Sequence, residues 1–512
     1  MTLPLPRGPF TRDGATFYAR CVNVLAIDVG TTSVRAGIVR ADGTIAARRS
    51  APLILDRPSP GLAEFDAAAL RRTVVQLAID CIREAGRVDA VGMAVQRASV
   101  VAWDPVSRAP LHAGISWQDL RTIGDCLTIA ATHGIRLAAN QTATKAGWLL
   151  RHLAATRHDT SNVRIGTLDT WLIDALSNGA AFVTEPSNAA VTGLVDPESI
   201  VEFAWSPTRC TATGVPIELL APMHASPGPL AIATALPGAP PIVAALGDQQ
   251  ASLIGQGALD DGIAKLTLGT SAMADVYIGT DTPALLDRAA HGSYPVVAHS
   301  VDGVLHWARE AVILTAGTCI DWLVDDLALL AHPAESETVA ASVTDTEGAW
   351  FVPAMLGLGT PHWDYGARGT LLGLTRGTTR AHVVRAVLRG IAHRGADLLD
   401  AMHRDGAGMP SRLRIDGAMS RNDVLVDELA NATGCTIDVC DEREATLRGA
   451  GFAAGVAAGT WPTLASTAQF AAVRNSREPT ISAARRAEQR SQWHEAVSRA
   501  QGWIPELSAL DF

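Results

Sequence analysis

The chain has 512 residues, 48% of them apolar and 18% charged, a globular balance with room for two or three cores that excludes a disordered chain. A formal net charge of −10, with no run of Lys and Arg to offset it, excludes nucleic acid as a natural partner. Seven cysteines without a CxxC pair or a His-bearing zinc spacing predict a reduced, cytoplasmic protein without structural zinc.

In chain order, residues 1–20 hold Pro, Arg and Gly but no continuous apolar stretch. They read as a disordered leader, not a signal peptide or membrane anchor. Residues 22–27 predict a buried strand and 33–39 its hairpin partner. Leu70, Val74, Leu77, Ala78 and Cys81 give 67–84 helical spacing, and 88–95 reads as another buried strand. Strands and helices then alternate as far as the apolar run 241–246. A second strand–turn–strand signal over 263–277 echoes the opening one, each built around a Gly/Thr/Ser turn. That echo predicts a duplicated α/β architecture with a cleft between its halves. Residues 379–402 predict a long, mostly buried helix, and 413–415 a strand. The Gly/Ala-rich stretch 446–458 predicts a helix packed closely on its neighbours, and 483–503 a polar surface helix.

The sharpest chemical signal is Asp28-Val29-Gly30-Thr31-Thr32-Ser33-Val34-Arg35. A strand ends in a carboxylate, and a tight turn then offers backbone N–H groups and hydroxyls to an anion, while the carboxylate suits magnesium held through water. Asp248, after the apolar run, stands where a strand ends at the lip of a cleft. It can take the proton of an attacking hydroxyl, or serve as a helix N-cap before Gln249-Gln250. Gly269-Thr270-Ser271 is a turn that a terminal phosphate can approach closely. In Asp416-Gly417-Ala418-Met419-Ser420-Arg421-Asn422 a Gly turn leads to a helix start, which can hold a nucleotide or be a plain β-turn-α connection. Gln96-Arg97 and Trp117-Gln118-Asp119-Leu120-Arg121 offer forked donors and a flat aromatic wall of the kind a polyol needs.

Taken in this order, these motifs resemble the FGGY family of carbohydrate kinases, most closely its glycerol kinases, over roughly residues 22–470. Further stretches carry the same likeness: Gly166-Thr167-Leu168-Asp169-Thr170-Trp171, Thr184-Glu185-Pro186-Ser187-Asn188-Ala189, Gly357-Leu358-Gly359-Thr360-Pro361-His362-Trp363-Asp364 and Gly373-Leu374-Thr375-Arg376-Gly377. The resemblance implies an α/β fold of two actin-like (ribonuclease H-like) ATPase lobes around a catalytic cleft. Residues 21–258 would form the substrate lobe, 259–470 the ATP lobe and 471–512 a helical tail. It implies ATP-dependent phosphorylation of a polyol or sugar hydroxyl with Mg²⁺, and a homodimer or homotetramer. It makes Asp248 the base, and Arg97, Trp117, Asn140, Asp248, Gln249 and Met273 the substrate contacts. Thr31, Thr32, Ser33, Arg35, Gly269, Thr270, Gly317, Asp321, Ala418 and Asn422 would hold the nucleotide, and Asp28 and Asp248 the metal.

Several positions depart from the family pattern. Ala98 stands for the Glu usual after Arg97, Asn140 for a Tyr, and Met273 for a Phe. These changes enlarge the polyol pocket and predict a longer substrate such as a tetritol. Ala418 replaces a Gly and Asp321 a Gln on the nucleotide side, and Arg389 stands where an acidic or amide residue is usual. A pentulose kinase of the xylulose type is the alternative, against which the Gln-Met-His-Gly stretch is missing. A non-catalytic ATP-binding protein is a second alternative, against which Asp28 and Asp248 are both present.

Overall fold

The computed structural model describes residues 22–260, 262–440 and 444–510; the leader expected over 1–20 lies outside the described residues. Two sheets carry the molecule. The first runs from β1 (Val24–Val29), β2 (Ser33–Val39) and β3 (Ile45–Pro52) through α1 (Ala67–Ala85) to β4 (Ala90–Val95), β5 (Ala231–Ile232) and β6 (Pro241–Gly247). Its order is β3-β2-β1-β4-β6-β5. The opening three strands form an antiparallel meander, and β4 and β6 then add in parallel. Every residue of β1 and β4 is buried, which is why β4, and β1 apart from Asp28, read as continuous apolar runs and not as alternating ones.

The second sheet repeats the plan. Strands β7 (Ile263–Leu268), β8 (Ala272–Gly279), β9 (Tyr294–Val301) and β10 (Val304–Ile313) are followed by β11 (Arg412–Asp416), β12 (Thr436–Cys440) and β13 (Val473–Arg477), in the order β9-β10-β8-β7-β11-β12-β13. Again a meander (β10-β8-β7) is extended by parallel strands, β11 and then β12. The duplication expected from the two Gly/Thr/Ser turns is therefore structural. In each half the hairpin turn and the end of a parallel strand come out at the same edge, where open α/β sheets bind ligands.

Between the sheets lie α2 (Asp248–Gly255), which follows β6 directly, and α3 (Ala445–Ala457). They touch through glycine. A Cβ on Gly449 would come within 1.7 Å of the Ala251 carbonyl oxygen, and one on Gly255 within 1.9 Å of that of Ala445. Helix α3 also lies on the first sheet, where Gly92 accepts the Ala450 carbonyl so closely that a Cβ would stand 2.2 Å from it. Close packing at 446–458 is thus what its small residues allow.

Two expectations change. The chain past residue 470 is not wholly helical, because β13 forms an edge of the second sheet. The helix α4 (Ala483–Ala500) is polar outside but is not a free surface helix. Trp493, Ala496, Val497 and Ala500, one stripe at helical spacing, are buried against Trp350, Val352, Leu358 and Ala367. Among the described residues no helix is long and apolar enough to cross a membrane.

Candidate active site

The cleft between the sheets gathers most of the residues singled out from the sequence. Asp28 sits in β1, 4% exposed, with Arg35 Nη1 3.5 Å from its Oδ2. Arg35 faces it because the two residues are directly paired across the β1–β2 hairpin. Burial pushes the Asp28 carboxyl up to about 7; Arg35 opposes this, and the charges of Asp248 and Glu444 add to it. A buried carboxylate among like charges, with one loosely placed cation, is a donor that a hard divalent ion would satisfy. Thr31, Thr32 and Ser33 form the turn beyond it, with Thr32 exposed, and Gly30 N–H donates to the Ser33 carbonyl at 3.0 Å.

Asp248 opens α2 at the end of β6, with its side chain 23% exposed and Oδ1 3.7 Å from Arg97 Nε. Burial raises its carboxyl and Arg97 works against the rise. A carboxylate balanced in that way can accept a proton. Arg97 in turn places Nη2 2.7 Å from Glu310 Oε2 and 3.5 Å from Met273 Sδ. Glu310 and Met273 come from β10 and β8 of the second sheet, so Arg97 spans the cleft. The neighbouring Gln96 is 1% exposed and neither end of its amide has a hydrogen-bond partner. Gln250, 2% exposed, is in the same condition. Buried amides without protein partners are free to bond a ligand group.

Glu310 was not singled out from the sequence. In the run Arg309-Glu310-Ala311 it looks like one charge of a solvated strand, and only the register of β10 turns it inward. Lys265 was also missed. It lies fully buried in β7, donating to Gln249 Oε1 at 2.6 Å and Asp275 Oδ2 at 2.9 Å. A lysine inside an otherwise apolar strand was the available signal.

Trp117 is tied to the turn after β1, with Nε1 donating to Thr31 Oγ1 at 3.3 Å. Its neighbours do other work: Asp119 accepts from Ala63 N at 2.7 Å and Arg121 pairs with Glu64 at 2.6 Å, fixing the segment before α1. Asn140 is exposed, and its carbonyl is held at 3.0 Å by Lys145, which also donates to Ser116 O at 3.2 Å. Burial lowers the Lys145 ammonium to about 7. No side-chain bond joins Asn140 to the Arg97 group among the described residues.

On the far side, three glycine turns converge. Gly317 N–H donates to Gly269 O at 2.9 Å, and a Cβ on Gly317 would stand 2.7 Å from that oxygen. Gly417, at φ +91°, abuts the Leu268 carbonyl, which a Cβ would meet at 2.2 Å. Thr270 and Ala418 are exposed on these turns and Asp321 is exposed one helical turn past Gly317. Asn422 caps the helix Asp423–Thr433 through Leu425 N at 3.0 Å and donates to Ser336 Oγ at 3.0 Å. Arg389 lies elsewhere. It binds Glu428 Oε2 at 3.0 Å while Arg385 takes Oε1 at 2.8 Å, so its departure from the family pattern is a structural ion pair.

Comparison with known proteins gives the family. The FGGY carbohydrate kinase N-terminal domain matches residues 23–255, and the C-terminal domain matches 264–458. This chain belongs to the FGGY family. A glycerol kinase of Dechloromonas aromatica is 38% identical over 498 residues, covering 94% of this chain and 98% of the relative. One from Rhodopirellula baltica is 35% identical, covering 95% and 92%. Among solved structures, Plasmodium falciparum glycerol kinase with ADP superposes with a TM-score of 0.87 at 25% identity, covering 94% and 98%. A ligand-bound xylulose kinase of Lactobacillus acidophilus shares the fold with a TM-score of 0.80 at 20% identity, covering 93% and 97%. As an FGGY member the chain is a carbohydrate kinase that uses ATP with Mg²⁺ to phosphorylate a hydroxyl of a small polyol or sugar.

Proposed function

We propose that the substrate is a short alditol, with a four-carbon tetritol preferred over glycerol. The observation that carries this reading is the trio Asp248, Arg97 and Glu310, with Arg97 Nε 3.7 Å from the first carboxylate and Nη2 2.7 Å from the second. Ala98 offers no hydroxyl acceptor of its own, while Glu310 brings a carboxylate to Arg97 from the opposite lobe. Met273 is unbranched and adapts its shape more readily than an aromatic ring would. Glycerol itself is the second reading, favoured by the similarity to glycerol kinases.

In this mechanism Arg97, Glu310, Gln249 and the Gln96 amide bind hydroxyls, and Trp117 forms the wall. Asp248 accepts the proton of the attacking hydroxyl. Thr31, Thr32, Ser33 and Arg35 face the phosphates, and Asp28 and Asp248 suit the metal through water. Gly269, Thr270, Gly317, Asp321, Ala418 and Asn422 border the nucleotide. Bound Mg·ATP supplies the phosphoryl group and the cation that neutralises its developing charge. Closing of the lobe formed by residues 259–470 on that formed by 21–258 excludes water and aligns the hydroxyl. The six cysteines among the described residues are free and buried, which suits the cytoplasm, and a homodimer or homotetramer completes the reading.

Coupled ADP release with Mg·ATP across glycerol, erythritol, the pentitols, ribulose and xylulose is the test. The expected result is the highest kcat/KM on a four-carbon alditol. A clear preference for glycerol would hand the site to the second reading, and a preference for a pentulose would overturn both.

A further inference from the structure

We infer that Lys265 is a positioning residue: from the second lobe it sets the orientation of the Gln249 amide, so that Nε2 is presented as a donor to a substrate hydroxyl. An ammonium carries donors only, so the Gln249 atom 2.6 Å from Nζ is the amide oxygen. The other end, Nε2, has no protein acceptor among the described residues. Gln249 is also tied at its backbone, where its N–H donates to Asp248 Oδ1 at 2.9 Å. One residue of α2 therefore touches both the expected base and a cation from across the cleft.

Lys265 is itself fixed. It stands directly opposite Asp275 in the β7–β8 register and is bound to it at 2.9 Å. A buried amine needs hydrogen-bond acceptors around it, and here one acceptor comes from the neighbouring strand and the other from the opposite lobe. The Lys265–Gln249 bond crosses the cleft, as Arg97–Glu310 does. Polyol recognition would then require the second lobe to be in place, although Gln249 belongs to the first.

The inference rests on the polyol kinase reading, and the unaltered chain is assayed first; failure to phosphorylate any compound of the panel sinks that reading before a variant is made. On the best substrate found, kcat and both KM values are then measured for Lys265→Met, Gln249→Ala and the double variant, with thermal midpoints alongside. Lys265→Met is expected to raise the polyol KM about tenfold, the effect of one lost hydrogen bond, and to leave the ATP KM within about twofold. The double variant is expected to match Gln249→Ala, because one residue acts through the other. Multiplying effects in the double variant, or an unchanged polyol KM in Lys265→Met, would overturn the inference. If Lys265→Met does not fold, Gln249→Glu keeps an acceptor for Lys265 and removes the donor. A polyol KM raised by a similar factor then supports the inference, and an unchanged one overturns it.

Discussion

A single side chain in this cleft acts through the charge beside it. Asp248 is held between burial, which raises its carboxyl, and Arg97, which opposes the rise. Asp248→Asn keeps the shape but cannot accept a proton, and kcat should fall by roughly 10²–10⁴-fold; single-turnover assays at saturating substrate read this directly. Glu310→Gln keeps an acceptor near Arg97 but removes the charge. The polyol kcat/KM should fall about tenfold with the ATP KM unchanged, measured by varying each substrate in turn. The places of Asp28 and Asp248 were legible because a carboxylate at the end of an apolar run is a local pattern. The residues alone left Asp248 open between a base and a helix cap, and only the family resemblance made it the base. Glu310 and Lys265 were not legible, because their meaning depends on which strand faces which across the cleft. Arg389 shows the converse: a departure from the family pattern whose reason, the shared Glu428, lies 39 positions away in the chain.

Among the elements, α4 shows how much a polar helix can owe to one buried anchor. Asp397, in the long helix Arg380–Arg404, accepts from Arg490 Nη2 at 2.6 Å and Trp493 Nε1 at 3.0 Å, and pairs with Arg394 at 2.8 Å. Burial works to raise its carboxyl, but Arg490, His494 and Arg394 outweigh burial and hold it well below the usual range. Since the folded pKa is depressed, the stabilisation is complete at neutral pH and is lost as pH falls from about 4 toward the folded value. Undocking of α4, followed by tryptophan fluorescence, should therefore accompany acidification below that point. Asp397→Asn should lower stability at pH 7 by about 3–5 kcal/mol, the cost of leaving buried cations unpaired, and flatten the acid dependence. The elements themselves were legible wherever the periodicity was strong, and 379–402 matched within two residues. The docking of α4 was visible in its spacing of Trp493, Ala496, Val497 and Ala500, but its overall polarity outweighed that stripe. Strand β13 was missed because Val473-Arg474-Asn475-Ser476-Arg477 has almost no apolar content and is held by edge pairing and polar side-chain bonds such as Arg477 to Asp423 at 2.9 Å.

At the scale of the whole molecule, the two lobes meet where α2 crosses α3. Gly449→Ala must displace the Ala251 backbone, since the new Cβ would stand 1.7 Å from its carbonyl oxygen. A loss of about 1–3 kcal/mol is expected, together with a lower kcat, because the displaced helix begins with Asp248. Gly124→Ala, in a helix with nothing within 4 Å of the new methyl, is the control and should be neutral or slightly stabilising. Thermal melts and turnover of both variants check the pair. The same helix α3 has a bearing on how the protein is made. It covers the face of the first sheet built from Val24, Ala26, Ala90, Ala94, Ala244 and Leu246, yet it arrives only at residues 445–457. During synthesis that face lacks this cover until residues 445–457 have left the ribosome. The first half can form its strands early but completes its core last, so a nascent chain halted before α3 emerges is the form most exposed to aggregation and most in need of a chaperone.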